Sequence, residues 1–180
     1  MTQTEVMATE RFKIRAALSS DMVAIGEIVV QSWRHTFDGL VAPEILASLS
    51  AEQQATRHTR TFSKPETIYR VATVKGAGTI GFASGGPSRN AEVFDGAELY
   101  AIYLRPQFER RGIGRALFEA VATELMETSS KGFYLTALSV NPNRQFYQLM
   151  GGREVNAPDI QLGSEFYSQV GFVWKASSGS

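Results

Sequence analysis

The stretch Ala97 to Phe118, AELYAIYLRPQFERRGIGRALF, constrains this chain more than any other. An apolar run of strand character ends at Arg105-Pro106. A short basic loop follows, and Gly112-Ile113-Gly114 opens directly into a run of helical character. Strand, glycine-rich turn and helix together make a phosphate-binding device. Glycine lets a ligand approach the backbone, and the first N–H groups of a helix have no intrahelical partner. Those donors, at the positive end of the helix dipole, favour bound phosphate. Arg105, Arg110, Arg111 and Arg115 surround the turn with positive charge. The segment therefore implies a phosphorylated cofactor, although Gly112-x-Gly114 alone also fits a tight turn with close helix packing. It is not a P-loop, for no Gly-Lys-Ser/Thr follows, and it lacks the third glycine of the dinucleotide fingerprint.

Composition narrows the class. A chain of 180 residues can build one domain with a real core, and 43% hydrophobic with 20% charged residues is ordinary for a globular protein. Its 18 basic residues balance 18 acidic ones, so no nucleic-acid partner is expected and the arginines near the loop are a local feature. With no cysteine, disulfides, thiolate metal sites and a cysteine nucleophile are excluded. The histidines are His35 and His58 alone, and no metal site is expected. No stretch is long and apolar enough to span a membrane, and the N-terminus lacks a signal-like apolar core. The expectation is a cytoplasmic protein without a membrane partner.

Periodicity gives the elements. Residues 1–11 read as a flexible tail, 12–175 as one domain, and 176–180 as a second flexible tail. Phe12–Ala16 alternates as a strand. Ser19, Ser20 and Asp21 can cap a helix to Trp33, with Met22, Ile25, Ile28 and Val29 on one face. A short helix is predicted over Pro43–Leu49, and Ser50-x-x-Gln53 is a capping box for a third helical stretch to Thr61. Ile68–Val74 and Thr79–Ser84 form a hairpin around Lys75–Gly78; a loop is predicted from Gly85 to Gly96. Glu98–Leu104 is the central strand, and the main helix runs from Gly114 to Met126 with Leu117, Val121 and Leu125 facing the core. Phe133–Val140, Arg153–Val155 and Phe166–Trp174 complete the strands; Tyr69, Tyr134 and Trp174 read as sheet packing. A mixed α/β (α+β) sheet with helices on both faces follows.

A second block extends the pattern. Leu138-Ser-Val-Asn-Pro-Asn-Arg-Gln-Phe-Tyr-Gln-Leu-Met-Gly-Gly-Arg153 places Asn-Pro after a strand, then a short helix bearing Phe146-Tyr147, capped by Asn141 or Asn143 and ended by Gly151-Gly152. Glu109-Arg110-Arg111-Gly112-Ile113-Gly114 resembles the acyl-CoA-binding motif Gln/Arg-x-x-Gly-x-Gly/Ala of the GNAT superfamily of N-acyltransferases. The later block resembles that family's Asn-Pro…Phe-Tyr…Leu-Gly motif. The order of elements is similar over residues 12–175. Ser32-Trp-Arg-His-Thr-Phe-Asp-Gly39 also resembles a subgroup of small bacterial members. The chain departs from the first motif at Glu109, where the family carries Gln or Arg.

The resemblance implies a GNAT fold, with a mixed central sheet splayed in its middle, and transfer of an acetyl group from acetyl-CoA to an amine, with CoA as product. It places the pantetheine against the backbone of Ile102, Tyr103 and Leu104. The phosphates fall at Arg110, Arg111, Gly112, Ile113, Gly114 and Arg115, and Asn141, Phe146 and Tyr147 also border the cofactor. Phe146 reads equally as a packed aromatic face. Tyr147 becomes the general acid: a phenol with a pKa of about 10 holds its proton at neutral pH and can protonate a thiolate whose acid has a pKa of about 8.5. Glu98 is the candidate base, its other reading being an exposed charge at a strand start. Trp33, Phe37 and Tyr100 line the acceptor site, with His35 beside them. The acceptor is a small-molecule or peptide amine, and a homodimer through the C-terminal strands is a family-level expectation. The alternatives are a non-catalytic acyl-CoA sensor on the same fold and an unrelated phosphate-binding enzyme.

Overall fold

The computed structural model describes residues 11–176; the two predicted tails fall almost wholly outside them. Seven strands form one sheet in the order β1-β2-β3-β4-β5-β9-β6. They are β1 Phe12–Ala16, β2 Ile68–Val74, β3 Gly78–Pro87, β4 Ala97–Leu104, β5 Phe133–Leu138, β6 Arg153–Asn156 and β9 Gln169–Trp174. All neighbours are antiparallel except β4 and β5, which run parallel. A separate hairpin joins β7 Ile160–Leu162 to β8 Glu165–Tyr167.

Helices cover both faces. On one lie α1 Met22–Thr36, α2 Pro43–Ser48 and α3 Ala51–Phe62, on the other α4 Ile113–Thr128. The helical spacing of Ile25, Ile28 and Val29 buries them with Val71 and Phe82, while Leu117, Val121 and Leu125 of α4 bury against Ile80, Leu99 and Phe133. Ser50 caps α3, its hydroxyl accepting from the Gln53 N–H at 3.3 Å. The short α5 Arg144–Leu149 follows β5.

Two expectations change. The strand predicted to stop at Ser84 continues to Pro87, where Gly85 and Gly86 pair with Leu99 and Glu98. A side chain at Gly85 would begin 2.7 Å from the Glu98 carbonyl oxygen, so glycine here serves close strand approach rather than a loop. The strand predicted over Phe166–Trp174 is broken: Phe166 pairs in the small hairpin, and only from Gln169 does the chain join the main sheet. The Ser139 N–H donates to the Ser168 carbonyl at 2.8 Å at that crossing.

Candidate active site

The central feature is a parting of two parallel strands. β4 stays paired with β3 from Ala97 to Leu104, yet meets β5 only at Ala97–Phe133 and Glu98–Tyr134. Beyond Glu98 a cleft of about 1150 Å³ occupies the gap. The direction of the free backbone groups follows from two hydrogen bonds. The Ala97 N–H donates toward β5, to Gly132, at 3.1 Å, whereas the Arg105 N–H donates toward β3, to Ile80, at 2.8 Å. These residues are an even number of positions apart, so a regular strand would turn both amides the same way. An irregularity opposite Ser84 and Gly85 shifts the phase. As a result the amides and carbonyls of Ile102 and Leu104 face the cleft with no partner on β5. Tyr103, expected to share that backbone role, has the same phase as Arg105 and so turns its amide and carbonyl toward β3. It contributes its side chain: the hydroxyl accepts from Trp33 Nε1 at 3.0 Å.

At the end of β4 the chain turns through Pro106–Phe108 into the glycine loop. Arg110 has φ +59° and Gly112 φ +78°, the left-handed region where a side chain is strained and glycine is not. Gly112 caps α4, and its carbonyl accepts the first helical bond, from the Ala116 N–H at 3.1 Å. The N–H groups of Ile113, Gly114 and Arg115 are therefore left for a ligand. Arg110, Gly112, Gly114 and Arg115 line the cleft. Arg115 also holds Glu119 at 2.9 Å.

Three basic or apolar loop side chains point elsewhere. Arg105 is drawn onto α1 by Glu27 at 2.9 Å and Gln31 at 3.0 Å. Arg111 folds back on the Gln107 carbonyl at 3.1 Å and over the Phe108 ring. Ile113 is 2% exposed and anchors α4 in the core, so only its N–H is available. Glu109 borders the cleft, its carboxylate 4.0 Å from His35 Nε2 on α1.

The Asn-Pro block closes the opposite wall. Asn141 Oδ1 accepts from the Asn143 N–H at 2.8 Å, which shapes the turn ahead of α5. Phe146 packs edge-on against Phe118 with centroids 5.9 Å apart, while Tyr147 packs on Phe172 at 5.4 Å and borders the cleft. Burial pushes the Tyr147 hydroxyl well above its ordinary pKa, and the nearby Tyr103 adds to the shift. It is a protonated phenol at neutral pH.

Across β4 from α4 lies a more polar wall. Glu98 is 3% exposed, so it does not solvate a strand end. Its carboxylate already has partners at both oxygens. Arg89 donates through Nε at 3.0 Å and through Nη2 to Glu98 Oε1, and its backbone N–H donates to Oε2 at 2.8 Å. The guanidinium holds Oε1 and the Arg89 backbone N–H holds Oε2, so both oxygens of the candidate base are already engaged by one residue. The Arg89 guanidinium also lies 4.5 Å over the Tyr100 ring, and the Tyr100 hydroxyl donates to the Pro87 carbonyl at 2.6 Å. Burial and the Glu98 charge push Tyr100 up to about 12. Trp33 and Phe37 pack together at 4.7 Å, with Phe37 buried.

Four contributors to this wall carried no motif in the sequence: Arg89, His58, Tyr69 and Ser84. His58 Nδ1 lies 3.0 Å from the Tyr69 hydroxyl. Burial, with Arg57 beside it, lowers His58 to about 4. Among the described residues no group of His, Asp or Glu could hold a metal ion, and no helix is long and apolar enough to cross a membrane.

Residues 89–159 match the model of the FR47-like protein family. The uncharacterized N-acetyltransferase YuaI of Bacillus subtilis is 30% identical over 162 residues, covering 89% of this chain and 91% of that protein. Among solved structures, the PaiA N-acetyltransferase of Thermoplasma acidophilum in complex with coenzyme A superposes with TM-score 0.68 at 22% identity, over 88% of this chain and 98% of that one. YncA of Salmonella typhimurium, solved with its cofactor acetyl-CoA, does so with TM-score 0.72 at 16% identity, over 94% and 96%. The two structures share the fold, and the likeness to YuaI extends across nearly the whole chain. A parallel strand pair parted beside a glycine-capped helix, carried on a sequence of this kinship, places the chain in the GNAT superfamily of N-acetyltransferases.

Proposed function

We propose that this protein is an acetyl-CoA-dependent N-acetyltransferase that moves an acetyl group to an amine by direct attack within a ternary complex. The observation that carries the reading is the parting of β4 from β5 beside the free N–H groups of α4. Unpaired backbone groups in a cleft need partners, and a pantetheine arm has amides to supply them. Its pyrophosphate suits the N-terminus of α4 with Arg110 and Arg115. The coenzymes in PaiA and YncA agree with this fit.

Acetyl-CoA supplies an activated thioester. Ile102 and Leu104 hold the arm, and a backbone N–H there donates to oxygen as negative charge develops on it. With no cysteine in the chain, no acyl-cysteine intermediate forms. Tyr147 donates its proton to the departing sulfur. Trp33 and Phe37 wall the acceptor end, where Arg89 fixes the Tyr100 ring and the Glu98 carboxylate.

Isothermal titration with acetyl-CoA, with ATP and NAD as controls, tests the cofactor. Binding of acetyl-CoA alone, followed by turnover of an amine, is expected. Equal binding of ATP or NAD overturns the cofactor, and acetyl-CoA binding without turnover of any amine makes the protein a sensor.

A further inference from the structure

We propose that Tyr69, joined to His58 and flanked by Ser84, is the group that takes the proton from the acceptor's amine. The proposal rests on the acetyltransferase reading above. Glu98 is held by Arg89, which leaves that role to be filled from another group on this wall.

Tyr69 on β2 and Ser84 on β3 are register partners, so their side chains share the sheet face covered by α1 and α3. This is the face of Trp33, Phe37 and Tyr103, opposite α4, and all these residues border the cleft. The surrounding surface is apolar: Ile28, Val71 and Phe82 are fully buried there. Within it Ser84 is 0% exposed, and its Oγ has no hydrogen-bond partner among the described residues. A buried hydroxyl without a well-placed partner is destabilising. The Tyr69 hydroxyl stands beside that of Ser84, and the two together offer polar atoms to a ligand at the cavity wall. The Ser84 and Thr61 hydroxyls stand beside the Tyr69 hydroxyl, whose other neighbour is His58 Nδ1 at 3.0 Å. The imidazole is held edge-on to Phe82 at 5.1 Å and to Tyr69 at 5.9 Å. It is neutral at pH 7, because burial and Arg57 hold its pKa near about 4, and so offers a free lone pair.

The step balances as follows. The amine nitrogen forms its bond to the acetyl carbon and the carbon–sulfur bond breaks. The amine's proton passes to Tyr69 Oη while Tyr69's own proton passes to His58 Nδ1. Tyr147 protonates the sulfur. The imidazolium, disfavoured by burial and by Arg57, forms only in passing and hands its proton on to solvent, and Tyr147 recovers one from solvent.

The experiment compares wild type with Tyr69→Phe, His58→Asn and Ser84→Ala. Acetyl-CoA affinity comes from calorimetry and folding from thermal melts. The values of kcat and KM come from a panel of spermidine, glycine, a tripeptide N-terminus, a lysine peptide and an aminoglycoside. Tyr69→Phe and His58→Asn are each expected to lower kcat about 100-fold at unchanged acetyl-CoA affinity. Asparagine can still accept a hydrogen bond from Tyr69 but cannot be protonated, which separates proton transfer from positioning. Ser84→Ala is expected to raise the KM of the amine severalfold. If His58→Asn folds, binds acetyl-CoA and keeps wild-type kcat, the proposal is overturned while the enzyme reading stands. If Tyr69→Phe does not fold, His58→Asn decides alone. Wild type that binds no acetyl-CoA, or turns over none of the panel, overturns the reading beneath it and the proposal with it.

Discussion

The two ends of the cleft are made of different material. The end beside α4 is backbone: the free N–H groups after Gly112 and the unpaired edge of Ile102 and Leu104. The end beneath α1 and α3 is side chains: Trp33, Arg89, Tyr100 and the His58–Tyr69 pair. Backbone donors recognise what every molecule of one cofactor shares, and they tolerate changes of side chain around them. Side chains recognise shape and charge, so under the proposed function the second end is the place for selecting an acceptor.

That contrast can be broken at its strongest point. Gly112→Glu forces a side chain into φ +78° and puts a carboxylate where the helix dipole favours an anion. Calorimetry should find no acetyl-CoA binding. Arg111→Ala, removing a side chain turned back on its own loop, should leave affinity near wild type. Next in size, Tyr147→Phe is expected to lower kcat about 100-fold while the acetyl-CoA affinity holds, as read from a steady-state assay beside a titration. Full activity at every pH would remove Tyr147 from the mechanism.

The side-chain end should show its dependence on partners through stability. Arg89→Ala leaves Glu98 buried without its cation, keeping only the backbone N–H at position 89, which should cost about 3 kcal/mol in chemical denaturation. Glu98→Gln, which leaves a half-exposed arginine facing water, should cost less. The smallest effect lies outside the cleft and serves as a control. The Asp21 carboxyl, which burial alone would raise, is held at about 2, against 3.8 normally, by Arg15, the Leu18 N–H and the Thr79 hydroxyl. A group depressed on folding stabilises above its unfolded pKa. This contribution, about 2 kcal/mol, is present above about pH 4 and fades as the pH falls toward 2. Acid unfolding of Asp21→Asn should lack that step, and cleft variants should retain it.

The backbone end was largely legible in the sequence, because its parts are contiguous. A strand, a turn that needs glycine and a helix start follow one another from Ala97 to Phe118, and local chemistry alone dictates them. The burial of α1 and α4 was legible for a similar reason, since their spacing repeats with the helix. Where partners come from afar, sequence reading faltered. Glu98 read either as a base or as an exposed charge at a strand start, and only the chain after β3 folding back over β4 brings Arg89 onto it. Gly85 looked like a loop, because a close approach by Glu98 is invisible in a linear chain.

The sequence by itself determined that a strand must feed a helix through a glycine-capped turn, that no thiol takes part, and that Tyr147 stands on a short helix after β5. These follow from backbone propensities and composition, which act locally. Only the tertiary structure decided where β4 parts from β5, that Tyr103 turns its backbone away from the cleft, and that His58, Tyr69 and Ser84 meet. Pairing register and the packing of α3 over the sheet are interactions between distant segments, and which polar side chains end up together is settled only when those segments are buried against each other.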